Sequence, residues 1–141
     1  MARQLQVAID CVNPDTLAAF WIEVLEYRLA DPPDGFATWS DFSAAAAQEA
    51  GEGWSRIVDP DGRGPSVLFH RVPEQKVGKN RMHIDIRVRP SGASDDVARP
   101  FVEAEVQRLV ALGATHVRTD DDESDYYAVM QDPEGNEFCV G

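Results

Sequence analysis

The sequence predicts an α+β domain built from one supersecondary unit used twice. Two turns carry nearly the same residues, Asp59-Pro60-Asp61-Gly62 and Asp132-Pro133-Glu134-Gly135, and an apolar strand-like run follows each. Each half also opens on an alternating segment that leads into a helical pattern, so the order strand, helix, strand, strand, strand is read twice. A length of 141 residues with 43% apolar composition suits one compact unit, or two small modules sharing a core. Units repeated in this way usually leave a cleft where they meet, and that cleft is the expected place for function.

Leu5 to Cys11 alternates around Val7, Ile9 and Cys11, which marks the first strand. Asn13-Pro14-Asp15 then supplies helix-start chemistry, with Asn13 as N-cap and Pro14 at the first helical position. The helix is expected to run to about Glu26 and to bury Leu17, Phe20, Trp21, Val24 and Leu25. After the Pro32-Pro33-Asp34-Gly35 break, Phe36 to Phe42 reads as a strand, and Ala44 to Ala50 as a turn or short helix closed by Gly51 and Gly53. Trp54 to Val58 and Ser66 to Val72 form a hairpin across the first Asp-Pro-Asp-Gly turn. In the second half Met82 to Val88 is a strand and Val97 to Leu112 a helix ended by Gly113. Thr115 to Arg118, Tyr126 to Gln131 and Asn136 to Val140 are the closing strands. The acidic run Asp120 to Asp125 reads as a solvated loop.

The 13 Lys and Arg against 25 Asp and Glu give a formal net charge of −12, which repels phosphate backbones and attracts cations. Nucleic acid is therefore excluded as an expected partner. The polar start Met1 to Gln6 lacks the apolar core of a signal peptide, and no run approaches the roughly 20 apolar residues of a membrane span, so no membrane partner and a cytoplasmic location are expected. Cys11 and Cys139 lack metal-knuckle spacing and read as reduced, buried thiols.

Three segments together resemble the vicinal oxygen chelate superfamily of glyoxalases, bleomycin-resistance proteins and extradiol dioxygenases. They are Asn13-Pro14-Asp15 with Ala19-Phe20-Trp21, then Val72-Pro73-Glu74 through Lys79-Asn80-Arg81-Met82-His83-Ile84-Asp85, and finally Asp132 to Val140. The resemblance is to the glyoxalase-like branch and spans nearly the whole chain. It implies one domain over residues 1–141, with module one at about 1–73 and module two at about 82–141. It also implies paired βαβββ modules curled into a U-shaped cup of antiparallel-rich mixed sheet with helices on the convex side, and a homodimer.

Alternation then assigns side chains to the two faces of each strand. With the apolar sets backed onto the helices, Gln6, Ala8 and Asp10 of the first strand, His83, Asp85 and Arg87 of the fifth, and Glu137 and Cys139 of the last face the cup. Metal-dependent relatives hold their ion with one side chain from each of four strands, and the resemblance places Gln6, Phe69, His83 and Cys139 at those positions. Phe cannot ligate, and without the two carboxylates the set is a poor one for a hard divalent ion, so no cofactor is expected; if a metal binds, Gln6 and His83 would hold it. His70, beside Phe69, would face the cup only after a one-residue register slip, and is expected at the surface.

His83, with Asp85 two residues on, is a candidate acid or base, or else simply orders the sheet. Arg87 either binds a substrate carboxylate or pairs with Asp10 or Asp85. Cys139 is a nucleophile only if its pKa is lowered, with His83 as the nearest candidate partner; otherwise it is an inert thiol. Trp39 and Trp54, on expected strands, either flank the mouth of the cup or pack in the core. Lys79, Asn80 and Arg81 either rim the cup or solubilise the crossover. Two functions follow. One is a lyase- or isomerase-type proton-transfer enzyme acting on a small polar carbonyl compound. The other is a metal-free protein sequestering a small polar or cationic molecule, as bleomycin-resistance proteins do.

Overall fold

The computed structural model describes residues 3–48, 51–121 and 125–141. The start of the polar N-terminal segment, the end of the Ala44 to Ala50 run and the centre of the acidic loop lie outside the described residues. The chain divides into two compact units, Met1–Gln75 and Lys76–Gly141. The first runs β1 (Gln6–Cys11), α1 (Pro14–Leu25), β2 (Arg28–Leu29), α2 (Trp39–Ala46), β3 (Trp54–Val58) and β4 (Ser66–Arg71). The second runs β5 (Asp85–Ile86), α3 (Asp95–Ala111), β6 (Thr115–Asp121), β7 (Tyr126–Gln131) and β8 (Glu137–Val140).

Each unit holds one four-stranded mixed sheet, ordered β1-β4-β3-β2 in the first and β5-β8-β7-β6 in the second. In both, the opening strand lies parallel to the closing one and the remaining pairs are antiparallel. The expected α+β class and its twice-used βαβββ unit are therefore observed. The two repeated turns close in the same way, since Gly62 and Gly135 sit at φ +68° and +83° and donate to the carbonyls of Asp59 and Asp132 at 3.0 and 2.9 Å. Glycine meets that left-handed conformation without the Cβ penalty.

In the first unit the Asn13 side chain accepts the Thr16 N–H at 3.1 Å and Pro14 opens α1, so the expected cap is the one used. Leu17, Ala18, Phe20, Trp21 and Val24 are buried, packing on β3 and β4 around Ile57, Val67 and Phe69, whereas Leu25 is only half-buried. Ser55, also under α1, donates its hydroxyl to the Asp15 carboxylate. In the second unit Ala98, Val102 and Leu109 of α3 are buried, as are Ala128, Met130, Phe138 and Val140 of the sheet they pack on.

The expected strand from Phe36 to Phe42 is not formed; its second half begins α2. Thr38 caps that helix, accepting the Asp41 N–H at 3.1 Å while its hydroxyl donates to the Asp41 carboxylate at 2.7 Å. Phe36, Trp39 and Phe42 recur every third residue, a helical and not a strand spacing. The two-residue β2 has no signal in the sequence, because Arg28-Leu29 is too short to show a period. β5 is shorter than Met82 to Val88, yet backbone bonds from Cys139 to Ile84, Gly141 to Ile86 and Val88 to Gly141 extend its pairing along β8. Among the described residues no helix is long and apolar enough to cross a membrane.

Candidate functional site

The second unit contains a pocket of about 250 Å³. Its floor is the sheet face opposite α3: His83, Asp85 and Arg87 come from the β5 segment, Cys139 and Gly141 from β8 and its end, and Tyr127 from β7. Ile86, Arg89 and Asp125 complete the lining. Strand period places them together: Asp85 pairs with Cys139, so their side chains share a face, while Ile86 pairs with buried Val140 on the other. His83, Asp85 and Arg87 are exposed on that face. Tyr127 was not singled out from the sequence, although the same alternation could have found it, since it lies between buried Tyr126 and Ala128. Arg89 and Asp125 are distant in sequence and only the fold brings them together.

Charge in this pocket is unevenly matched. Arg89 is 15% exposed and held by Asp95 at 2.9 Å and by Asp125, and the hydrogen bond it donates to Asp125 first, then the one to Asp95, raises its pKa against the effect of burial. Arg87 has no ion pair among the described residues. A hydrogen bond to Asp120, with the charge of that carboxylate and burial, raises the Tyr127 phenol.

Cys139 is half-buried, and the ionisable residue opposite it in the sheet is Asp85, not His83. Burial first, then the Asp85 charge and a hydrogen bond to it, push the thiol up, the opposite of what a nucleophile needs. At neutral pH Cys139 is expected to react with iodoacetamide more slowly than a free cysteine, and Asp85→Asn to speed the reaction; peptide mass spectrometry of alkylated protein checks both.

Glu137 faces the same side of β8 as Cys139, yet it is tied down. Lys76 Nζ lies 3.2 Å away and the Asn80 N–H donates to its carboxylate at 3.0 Å, which fastens the segment before β5 to β8. Burial would raise this carboxyl, but hydrogen bonds from Asn80, its own backbone N–H and Lys76 outweigh it, so its pKa is lowered. A carboxyl depressed in the folded state adds stability above its ordinary value of 4.5 and loses it as pH falls through the folded value. Glu137→Gln is expected to flatten the stability profile below about pH 4.5, which urea denaturation across pH 3–7 measures.

In the first unit the assignment of Phe69 to a ligand-facing position is corrected. Phe69 is fully buried and pairs with Ile9, on the face that packs against α1. The opposite face carries Gln6, Asp10, Ser66, Leu68 and His70. His70, expected at the surface, thus stands in the row of Gln6 and Asp10, with Nδ1 3.6 Å from Asp10, Nε2 3.9 Å from Glu52 and its ring stacked on Trp54 at 5.2 Å. Ser66 donates to the Gln6 side chain at 3.1 Å. Trp39 is on α2, not a strand; it is buried, and its indole donates to the Ala30 carbonyl at 2.8 Å. Trp54 is half-buried between His70 and Phe42.

These positions do not fit a four-ligand metal centre. Phe69 lies in the core, burial and the Asp85 charge disfavour the Cys139 thiolate, and Glu137 is bound to Lys76 and Asn80. Among the described residues no three His, Cys, Asp or Glu side chains converge on a metal position.

A βαβββ unit used twice, with a polar pocket on one of its sheets, is the architecture of a known class. The chain belongs to the glyoxalase-like family, whose domain model matches residues 6–141. Solved structures share the fold over nearly the whole chain. One is a glyoxalase/bleomycin resistance protein/dioxygenase family enzyme from Burkholderia phytofirmans PsJN, at 16% identity, TM-score 0.65, and coverage of 99% of this chain and 97% of that one. A second is the corresponding domain from Frankia sp. EAN1pec, at 12%, TM-score 0.63, and 99% and 96% coverage. A third is a mutant of the fosfomycin resistance protein FosX from Listeria monocytogenes, complexed with Mn(II) and 1S,2S-dihydroxypropylphosphonic acid, at 9%, TM-score 0.65, and 99% and 91% coverage. No curated protein matches the chain. The motif resemblance is thus confirmed for the glyoxalase-like family and for the fold.

Proposed function

We propose that this glyoxalase-like protein binds a small polar molecule in the His83–Asp85–Arg87 pocket without a four-ligand metal centre, and that its two units act as one domain. The carrying observation is the pocket of about 250 Å³, lined by a histidine, a carboxylate and a guanidinium that has no ion pair among the described residues. Ligand pockets typically enclose about 300–1,000 Å³, so the occupant is small. The chemistry this lining supports is proton transfer to or from a bound carbonyl compound by His83 and Asp85, with Arg87 orienting it. Stacking of a planar antibiotic has less support, because Trp39 is buried and Trp54 is stacked on His70.

Two measurements test the reading. A thermal-shift screen of small polar metabolites is expected to find compounds that raise the melting temperature of the wild type but not of His83→Ala; a ligand at one hundred times its Kd adds about 2.7 kcal/mol. A screen without a stabilising compound at high excess overturns the binding reading. Elemental analysis of purified protein is expected to find less than stoichiometric transition metal, and a full equivalent lost with His83→Ala overturns the metal-free assignment.

A further inference from the structure

We propose, on the basis of the ligand-binding reading above, that the pocket recognises a small carboxylic acid that also carries a hydrogen-bond donor, such as an α-amino or α-hydroxy acid. Its carboxylate pairs with Arg87 and its N–H or O–H donates to Asp85.

The pocket's charges separate into those already matched and those left open. Arg89 is ion-paired to both Asp95 and Asp125, so its charge is already matched. Arg87 is exposed and without an ion pair among the described residues, so its planar fork of donors is available to a carboxylate. Asp85 is exposed and has no ion pair among the described residues, which leaves its acceptor capacity for a ligand. The two open groups are two residues apart on β5 and the extended chain that continues it along β8, about 6.6 Å apart along the backbone and on the same face. The Arg87 side chain is long enough to close that span over a ligand of a few heavy atoms.

Simpler ligands leave one open group badly served. An acid without a donor would set its charge beside Asp85 with nothing to offer that carboxylate, and an amine without an acid would face Arg87. A neutral amide satisfies neither charge. The net charge of −12 draws cations from a distance, but salt screens that field beyond about 8 Å, and within the pocket the paired arrangement of Arg87 and Asp85 governs. Size sets the other limit: the Tyr127 ring and the strand floor leave about 250 Å³.

The full chain is titrated by calorimetry with L-lactate, L-alanine, propionate, lactamide and 1-amino-2-propanol, with thermal shift as a second readout. L-Lactate or L-alanine is expected to bind at least tenfold more tightly than propionate, lactamide or 1-amino-2-propanol. Arg87→Gln is expected to weaken that binding at least tenfold, and Asp85→Asn to bring L-lactate and propionate to within about threefold of each other. Both side chains are exposed, so the unliganded melting temperatures of the variants report folding separately. Equal or tighter binding of lactamide or 1-amino-2-propanol overturns the ligand class while the binding reading stands. So does a screen whose stabilising compounds all lack a carboxylate. A screen without any stabilising compound overturns the binding reading itself, and the class with it.

Discussion

Replacing Phe69 by alanine is expected to destabilise the protein by about 3–5 kcal/mol, the usual cost of deleting a buried aromatic ring. The side chain is fully buried, paired with Ile9 on one side and with Ser55 on the other, under α1. Removing it takes away the ring's transfer energy and leaves a cavity between sheet and helix that close packing fills only in part. Urea denaturation of Phe69→Ala and Phe69→Leu measures it, with most of the stability kept by leucine. A ring facing a ligand instead would lose binding and cost within about 0.5 kcal/mol of stability, as surface changes do. The pair of variants therefore decides which face of β4 is buried.

Asp132→Ala is expected to cost about 2–3 kcal/mol. Asp132 is 2% exposed, and its carboxylate accepts the backbone N–H groups of Glu134 and Asn136, each at 2.9 Å, and the Asn136 side-chain amide at 2.9 Å. Those donors close the turn between β7 and β8, and alanine would leave them without their acceptor at a position closed to water. The pseudo-equivalent Asp59 makes the same kind of turn, accepting N–H groups from Asp61, Arg63 and Gly64 at 2.8, 3.0 and 2.7 Å, but it is more exposed. Water can replace its carboxylate, so Asp59→Ala is expected to cost less than Asp132→Ala. Denaturation of the two variants side by side checks the order, and equal losses would mean that burial is not what separates the turns.

Much of the fold was legible because its signals are local. The Asn13-Pro14 start of α1, the recurring Asp-Pro-acidic-Gly turns and the alternation of β1, β7 and β8 each rest on residues within a few positions of one another. The strand expected at Phe36 to Phe42 gives way to a helix start because the three-residue spacing and the Thr38 and Asp41 cap, both visible in the sequence, outweigh its aromatic content. Within the site, His83, Asp85, Arg87 and Cys139 were assigned to one face by period alone, and the structure places them around one pocket. Arg89 and Asp125 were missed, since 36 residues separate them and no local pattern joins them.

By itself, then, the sequence determined a twice-used strand and helix order, its turns and the two-sided character of β5 and β8, because backbone sterics and side-chain period act over short distances. Tertiary structure alone decided that Phe69 points into the core and His70 away from it. It also decided that Cys139 answers to Asp85, that Glu137 is bound to Lys76 and Asn80, and that Arg87 stays open while Arg89 is closed. The reason is physical: register and charge pairing depend on which strand or side chain arrives opposite, and that is settled only when distant segments pack.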